Sequence, residues 1–190
     1  MANLAERPAP TPVAEAVDED ALLANIPAAQ AGFTVLYRKY LGRVYRYLYF
    51  RTGDRFEAED LTAQVFLAAL EGLSGYRHRG KFAAWLFAIA RRKAADHYRR
   101  FRTQVPLESV AGSLTGENDP LGELVSGEQL SRLLSVVSGM KDDEQELLRL
   151  RFAAELSFNE IAVVMQRSPA AVKMELYRLL RRLEVSLHDY

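Results

Sequence analysis

Where apolar and polar residues alternate in this chain, they do so with the period of an α-helix. Phe33, Leu36, Tyr37, Tyr40, Leu41, Val44, Tyr45 and Leu48 follow at steps of 3 and 1. Such a one-sided stripe belongs to a helix of 3.6 residues per turn, so a long amphipathic helix is predicted over 33–48. Gly53-Asp54 ends it and begins the next turn. A second helix is predicted from Arg55 to Leu73, with Leu61, Val65, Leu70 and Leu73 on its inner face and Phe66 beside them. A polar, basic loop, Ser74 to Gly80, leads to a third helix from Lys81 to Arg102. There Phe82, Trp85, Leu86, Ile89 and Ala90 make a stripe over the first half only, and Trp85, lying in it, is assigned to the core. Upstream, Leu22, Leu23 and Ile26 predict a short helix from Asp18 that stops before Pro27. Residues 1–17 are rich in Ala and Pro without apolar period and read as a disordered lead-in.

Residues 103–127 lack periodicity and hold two prolines and four glycines, the composition of a flexible linker. The expected fold is therefore all-α, with two helical domains, 18–102 and 128–190, on either side of that linker. In the second domain Leu130, Leu133, Leu134 and Val137 come first, and Leu147, Leu148, Leu150, Arg151 and Phe152 follow a break at Gly139. Ser157 and Glu160 make a capping box, which starts a helix carrying Ile161, Ala162, Val164 and Met165. Ser168-Pro169 supplies a favoured N-cap and a favoured first helical residue only a few positions later. Val172, Leu176, Leu179 and Leu183 form the buried seam of this last helix, and two helices so joined predict a helix-turn-helix. Its second helix enters a major groove by its N-terminal part.

A formal net charge of zero conceals separate blocks. Residues 1–32 carry −4, 33–102 carry +9, 103–127 carry −4 and 128–190 carry −1. Only the first folded block is polyanion-seeking. Within it the third helix carries Arg91, Arg92, Lys93, Arg99, Arg100 and Arg102 against the single acid Asp96. Most charged helix faces are merely solvated. A basic face on a packed helix with aromatics beside it points instead to nucleic acid. Glu57, Glu59 and Asp60 stand in the first turns of the second helix, where the helix dipole favours acids.

No cysteine is present, which excludes disulfides, thiolate metal sites and a cysteine nucleophile and suits a reducing cytoplasm. His78 has no ligand-like neighbours, so neither metal nor cofactor is expected. No nucleophile–base set or phosphate loop appears, which argues against an enzyme. The N-terminus lacks a positive region followed by an apolar run, and no stretch approaches 18 apolar residues. Neither a secretory leader nor membrane insertion is expected.

Four segments in this order, FTVLYRKYLGRVYRYLY, EAEDLTAQVFLAAL, FAAWLFAIARRKAADHYRR and ELLRLRFAAELSFNEIAVVMQRSPAAVKMELYRLLRRL, resemble an extracytoplasmic-function sigma factor of bacterial RNA polymerase. The resemblance spans about Asp18 to Leu187. It implies a promoter-melting domain followed by a linker and a promoter-reading helix-turn-helix domain. It implies that Glu59, Asp60, Leu61, Gln64 and Phe66 meet core RNA polymerase, which turns those acids from dipole partners into an interface. Tyr76, Arg77, His78, Arg79 and Lys81 match a loop that takes up a flipped promoter base. Arg91, Arg92, Asp96, His97, Arg99 and Arg100 match the helix on the minus-ten element. Ser168, Ala170, Ala171, Lys173, Tyr177 and Arg178 match the helix on the minus-thirty-five element. Core polymerase, promoter DNA and an anti-sigma factor are the implied partners.

The chain departs from the family pattern at four places. Arg92 replaces the usual Asn, and Ala63 the usual Gln. Gln166-Arg167 replaces Gly-Ile in the turn, and Met174-Glu175 replaces Ser-Arg after Lys173. An acid beside DNA phosphates repels them, unless it accepts from a cytosine amino group. Glu175 therefore supports the alternative of a sigma-like decoy that binds proteins without reading promoters. A stand-alone helix-turn-helix regulator leaves the helices over 57–66 and 81–102 unexplained.

Overall fold

A computed structural model describes residue 19 and residues 29–77, 81–104 and 135–188. Every regular element among the described residues is helical. Helix α1 spans Ala29–Thr52, α2 Arg55–Gly72 and α3 Phe82–Gln104, with a 3-10 turn, Leu73–Gly75, continuing α2. The second half holds α4 (Asp142–Leu148), a π-turn (Arg149–Ala153), α5 (Phe158–Met165) and α6 (Pro169–His188). The expected lead-in, the short helix before Pro27 apart from Glu19, and nearly all of the linker lie outside the described residues. So do Leu130, Leu133, Leu134, His78 and Arg79.

Local chemistry sets the joints. Gly53 takes the left-handed conformation (φ 73°) that ends α1, and its N–H returns to the Tyr49 carbonyl at 2.8 Å. Asp54 caps α2, accepting from the Glu57 N–H at 2.8 Å. Ser157 caps α5 while the Glu160 carboxylate accepts from the Ser157 N–H at 2.7 Å, which completes the expected capping box. Ser168 Oγ accepts from the Ala171 N–H at 3.2 Å and starts α6 one residue before Pro169.

The buried faces agree with the periodicity, with two corrections. On α2 the inner face is Ala58, Leu61, Thr62, Val65, Phe66 and Ala69, while Leu70 is exposed. Leu70 lies just past the edge of the arc that α2 turns to its neighbours, and the small Ala69 lets α2 sit close. On α1, Phe33, Leu36, Tyr40, Val44 and Leu48 are buried as expected, but so is Tyr47, which lies off that stripe. Tyr37, Leu41 and Tyr45 lie at the margin instead, lining a shallow groove with Glu59, Thr62 and Ala63 of α2.

Tyr47 is buried because the two halves pack on each other. The π-turn lies against α1 and α5 against α3, and the buried residues of both halves form one contiguous core. At its polar centre is Glu146 of α4, only 2% exposed. Tyr47 Oη donates to its Oε1 at 2.6 Å, and Arg51 donates to its Oε2. Arg91 and Arg149 stand at 3.5 and 3.7 Å. A buried carboxylate needs such partners, since desolvating it unpaired costs several kcal/mol, roughly. Burial and the Glu146 charge push the Tyr47 hydroxyl well above the usual tyrosine range.

Candidate nucleic-acid interface

Three surfaces gather the residues singled out in the sequence. On the first turns of α2, Glu59 and Asp60 are exposed and Gln64 is half-buried. Arg55 donates to Glu59 at 2.9 Å, and Gln64 donates to Asp60 at 2.7 Å, so these side chains are held in an ordered polar row. Leu61 and Phe66 point into the core at 2% and 4% exposure. They fix the α2 face from behind, Phe66 against the rings of Phe33 and Tyr37, and offer no side chain to a partner.

The second surface runs from Tyr76 along α3. Tyr76 is half-buried, its ring centre 5.1 Å from that of Trp85 and 5.8 Å from that of Phe82. Trp85 packs against the core as expected but is only partly buried, so it also forms an aromatic platform with Tyr76 and Phe82. Gly72 permits its close approach: a Cβ there would lie 3.3 Å from the indole. Period alone could not reveal this, because a stripe residue at the start of a helix can face either core or loop. Arg77 and Lys81 are exposed at the described edges of the loop.

Along α3 the basic residues diverge. Arg92, Arg99 and Arg100 are exposed, and Arg99 donates to Asp96. His97 Nε2 lies 3.1 Å from Glu57 Oε2 and ties α3 to the start of α2. Arg91 turns the other way, toward Glu146 and the carbonyl of Val164, 3.4 Å from Nη1.

The third surface is α6, which packs by Val172, Leu176, Leu179 and Leu183, all buried. Ser168, Ala170, Lys173, Tyr177 and Arg178 are exposed on its other side, and Ala171 is half-buried. Lys173 Nζ sits 5.9 Å from the Tyr177 ring centre, and Arg178 Nη2 lies 3.3 Å from Met174 Sδ. Met174, 55% exposed, joins this face as an apolar member.

Two departures from the family pattern turn out to be partners. Glu175 accepts a hydrogen bond from Arg167 in the turn. Gln166 adopts the left-handed conformation (φ 56°, ψ 45°), and the Arg167 N–H reaches the Ala162 carbonyl at 2.9 Å. The turn thus closes without glycine, and the acid on α6 is paired with a cation of its own chain.

Comparison with known proteins matches two stretches of the chain to one family of transcription factors. Residues 36–104 match the family model for sigma-70 region 2, and residues 130–183 that for sigma-70 region 4. The ECF RNA polymerase sigma factor BldN of Streptomyces coelicolor is 36% identical over 183 residues, covering 92% of this chain and 69% of that protein. SigM of Bacillus subtilis, also an ECF RNA polymerase sigma factor, is 31% identical over 152 residues, or 78% and 91% of the two chains. CnrH, solved in complex with the cytosolic domain of CnrY, shares the fold with a TM-score of 0.63 at 22% identity, covering 90% and 97%. The sigma factor RpoE of Bartonella quintana, solved with the anti-sigma factor NepR, does so with a TM-score of 0.61 at 19%, covering 82% and 96%.

Proposed function

The chain belongs to the extracytoplasmic-function RNA polymerase sigma factors, which recognise promoters for transcription initiation, and from that premise we propose how its surfaces divide the work. The polar row Glu59, Asp60 and Gln64 meets core polymerase, carried on a helix that Leu61 and Phe66 fasten to the core. Tyr76, Arg77, His78, Arg79 and Lys81 take up an unstacked base over the Tyr76–Trp85 platform. Flipping a base out requires both an aromatic surface and backbone cations. Arg91, Arg92, Asp96, His97, Arg99 and Arg100 track the melted minus-ten strand. The α6 residues Ser168, Ala170, Ala171, Lys173, Tyr177 and Arg178 read the minus-thirty-five duplex. Phosphate contacts on these surfaces give affinity and base contacts give sequence.

The observation that carries this reading is the coexistence, on one chain, of a basic helix beside an aromatic platform and a helix-turn-helix with an exposed reading face. The protein works as an initiation factor with no bond chemistry of its own, in the cytoplasm where polymerase acts. An anti-sigma factor is its expected partner, as RpoE is found in complex with NepR. Among the described residues no helix is long and apolar enough to cross a membrane, and no group of three potential ligands could hold a metal.

Run-off transcription with core polymerase and a promoter library tests the whole proposal, and selective transcripts are expected. Asp60→Lys is expected to abolish both co-purification with core polymerase and run-off product while the helical circular dichroism stays intact. Undiminished co-purification would remove α2 from the interface.

A further inference from the structure

The face that α6 turns away from its buried seam carries two side-chain pairs, each spaced four residues apart and so about one turn along the helix. Lys173 pairs with Tyr177, Nζ 5.9 Å from the ring centre, and Met174 with Arg178, whose Nη2 lies 3.3 Å from Sδ. Lys173, Tyr177 and Arg178 can each bond to a phosphate or to a base edge. Met174 cannot, because its thioether donates no hydrogen bond and accepts only weakly. A single exposed apolar residue is ordinary on a protein surface. Met174 is set apart by its place: it stands in the first half of α6, between the cations Lys173 and Arg178, where a serine is usual in the family.

The approach to it is open. A helical side chain covers the turn N-terminal to its own Cα. For Met174 that turn holds Ala170 and Ala171, which carry nothing beyond Cβ. Glu175, the next residue, is half-buried and accepts from Arg167, so its carboxylate is already engaged and is not offered to a cytosine amino group. A major groove that receives the first turns of α6 therefore meets Met174 rather than Glu175. The edge groups it presents are hydrogen-bond donors and acceptors, with one exception, the C5 methyl of thymine. That methyl is the partner a thioether can take, and the flexible, polarizable methionine side chain adapts readily to it.

We propose that Met174 is a specificity-determining residue of α6: it takes a thymine methyl group in the upstream duplex, while Glu175, held by Arg167, reads no base. This role rests on the reading of the minus-thirty-five duplex by α6 proposed above.

The full chain, assembled with core polymerase, is first used to select its upstream element from randomised duplexes. Each thymine of that element, on either strand, is then replaced singly by deoxyuridine, which pairs alike and lacks only the methyl. One replacement is expected to weaken binding about fourfold, the worth of one methyl group removed from water, and the others to change it little. Met174→Ser is expected to bind the thymine and deoxyuridine duplexes equally at that pair and to keep the unmutated preferences elsewhere. Met174→Leu, apolar and of similar size, is expected to keep the discrimination. An element in which no thymine depends on its methyl, or a dependence that survives Met174→Ser, would overturn the proposal. So would a uniform loss of preference at every pair in Met174→Ser, which would make the residue a support of the helix instead of a reader. Should no duplex be selected at all, the reading by α6 falls and this role with it, whereas selection without methyl dependence removes Met174 alone.

Discussion

Glu175 illustrates how far a single residue can mislead. Read along the helix, it is an acid on a face meant for phosphate. In the fold it is spent on Arg167, eight residues earlier and across a turn. No helical register connects two such positions, so the sequence offered each as a separate departure. Both side chains are partly exposed, at 33% and 26%, which limits the pair to about 0.5–1 kcal/mol. Its weight lies in placing the turn relative to α6. Glu175→Arg is therefore expected to weaken upstream-duplex binding, by setting two guanidinium groups against each other, rather than to strengthen it by adding a phosphate contact. The exchange Arg167→Glu with Glu175→Arg is expected to recover most of the loss. Duplex titrations of the two single variants and the exchange give the coupling directly, and a tighter-binding Glu175→Arg would return the acid to the DNA face.

Among the elements, those with a strong apolar period were legible at once: α1, α2, α3, α5 and α6 appear where the spacing put them, each within a few residues. What periodicity could not give was the second buried side of α1. Tyr47 falls off the stripe, and only the docking of another element explains its burial. The basic face of α3 is legible as charge but not as partnership. Its exposed part is expected to obey counterion release. With single-stranded minus-ten DNA, each neutralised phosphate adds roughly 0.7 to the logarithmic salt slope, so Arg99→Ala is expected to lower that slope by about this amount. An unchanged slope would leave Arg99 to Asp96 alone.

The join between α4 and α6 has its own signature. Arg182 donates to both carboxylate oxygens of Glu144, at 2.9 and 3.0 Å, and holds that carboxyl below the ordinary value of 4.5. A lowered value in the folded chain means that the pair stabilises above 4.5 and is lost as pH falls through the depressed value. Glu144→Gln is expected to be less stable than the unmutated protein at pH 7, with the gap closing in acid below pH 4.5. Urea titrations at both pH values check this, and a gap independent of pH would assign the loss to packing.

For the molecule as a whole, the sequence revealed two helical units, because each unit carries its own period. It could not reveal that they share a core. Glu146, Arg43 and Arg46 look like ordinary solvated charges on amphipathic helices, and nothing local distinguishes a charge that meets water from one that meets another domain. The same limit applies to α2, proposed above to meet polymerase, where Leu61 and Phe66 belong to the motif but face inward. Motif membership follows position in the chain, whereas availability follows packing.

Because the pocket around Glu146 is walled by both halves, heat is expected to meet one body. Calorimetry of the free chain is expected to show a single endotherm whose measured enthalpy equals the one inferred from its sharpness. With Arg43→Ala and Arg46→Ala, the endotherm is expected to split, each half melting by itself. Two peaks in the unmutated chain would mean that the halves melt independently from the start. Under thermal stress the contacts of Arg43 with the Ala154 carbonyl and of Arg46 with the Glu155 carboxylate are then what decide whether the two halves of the protein survive together or apart.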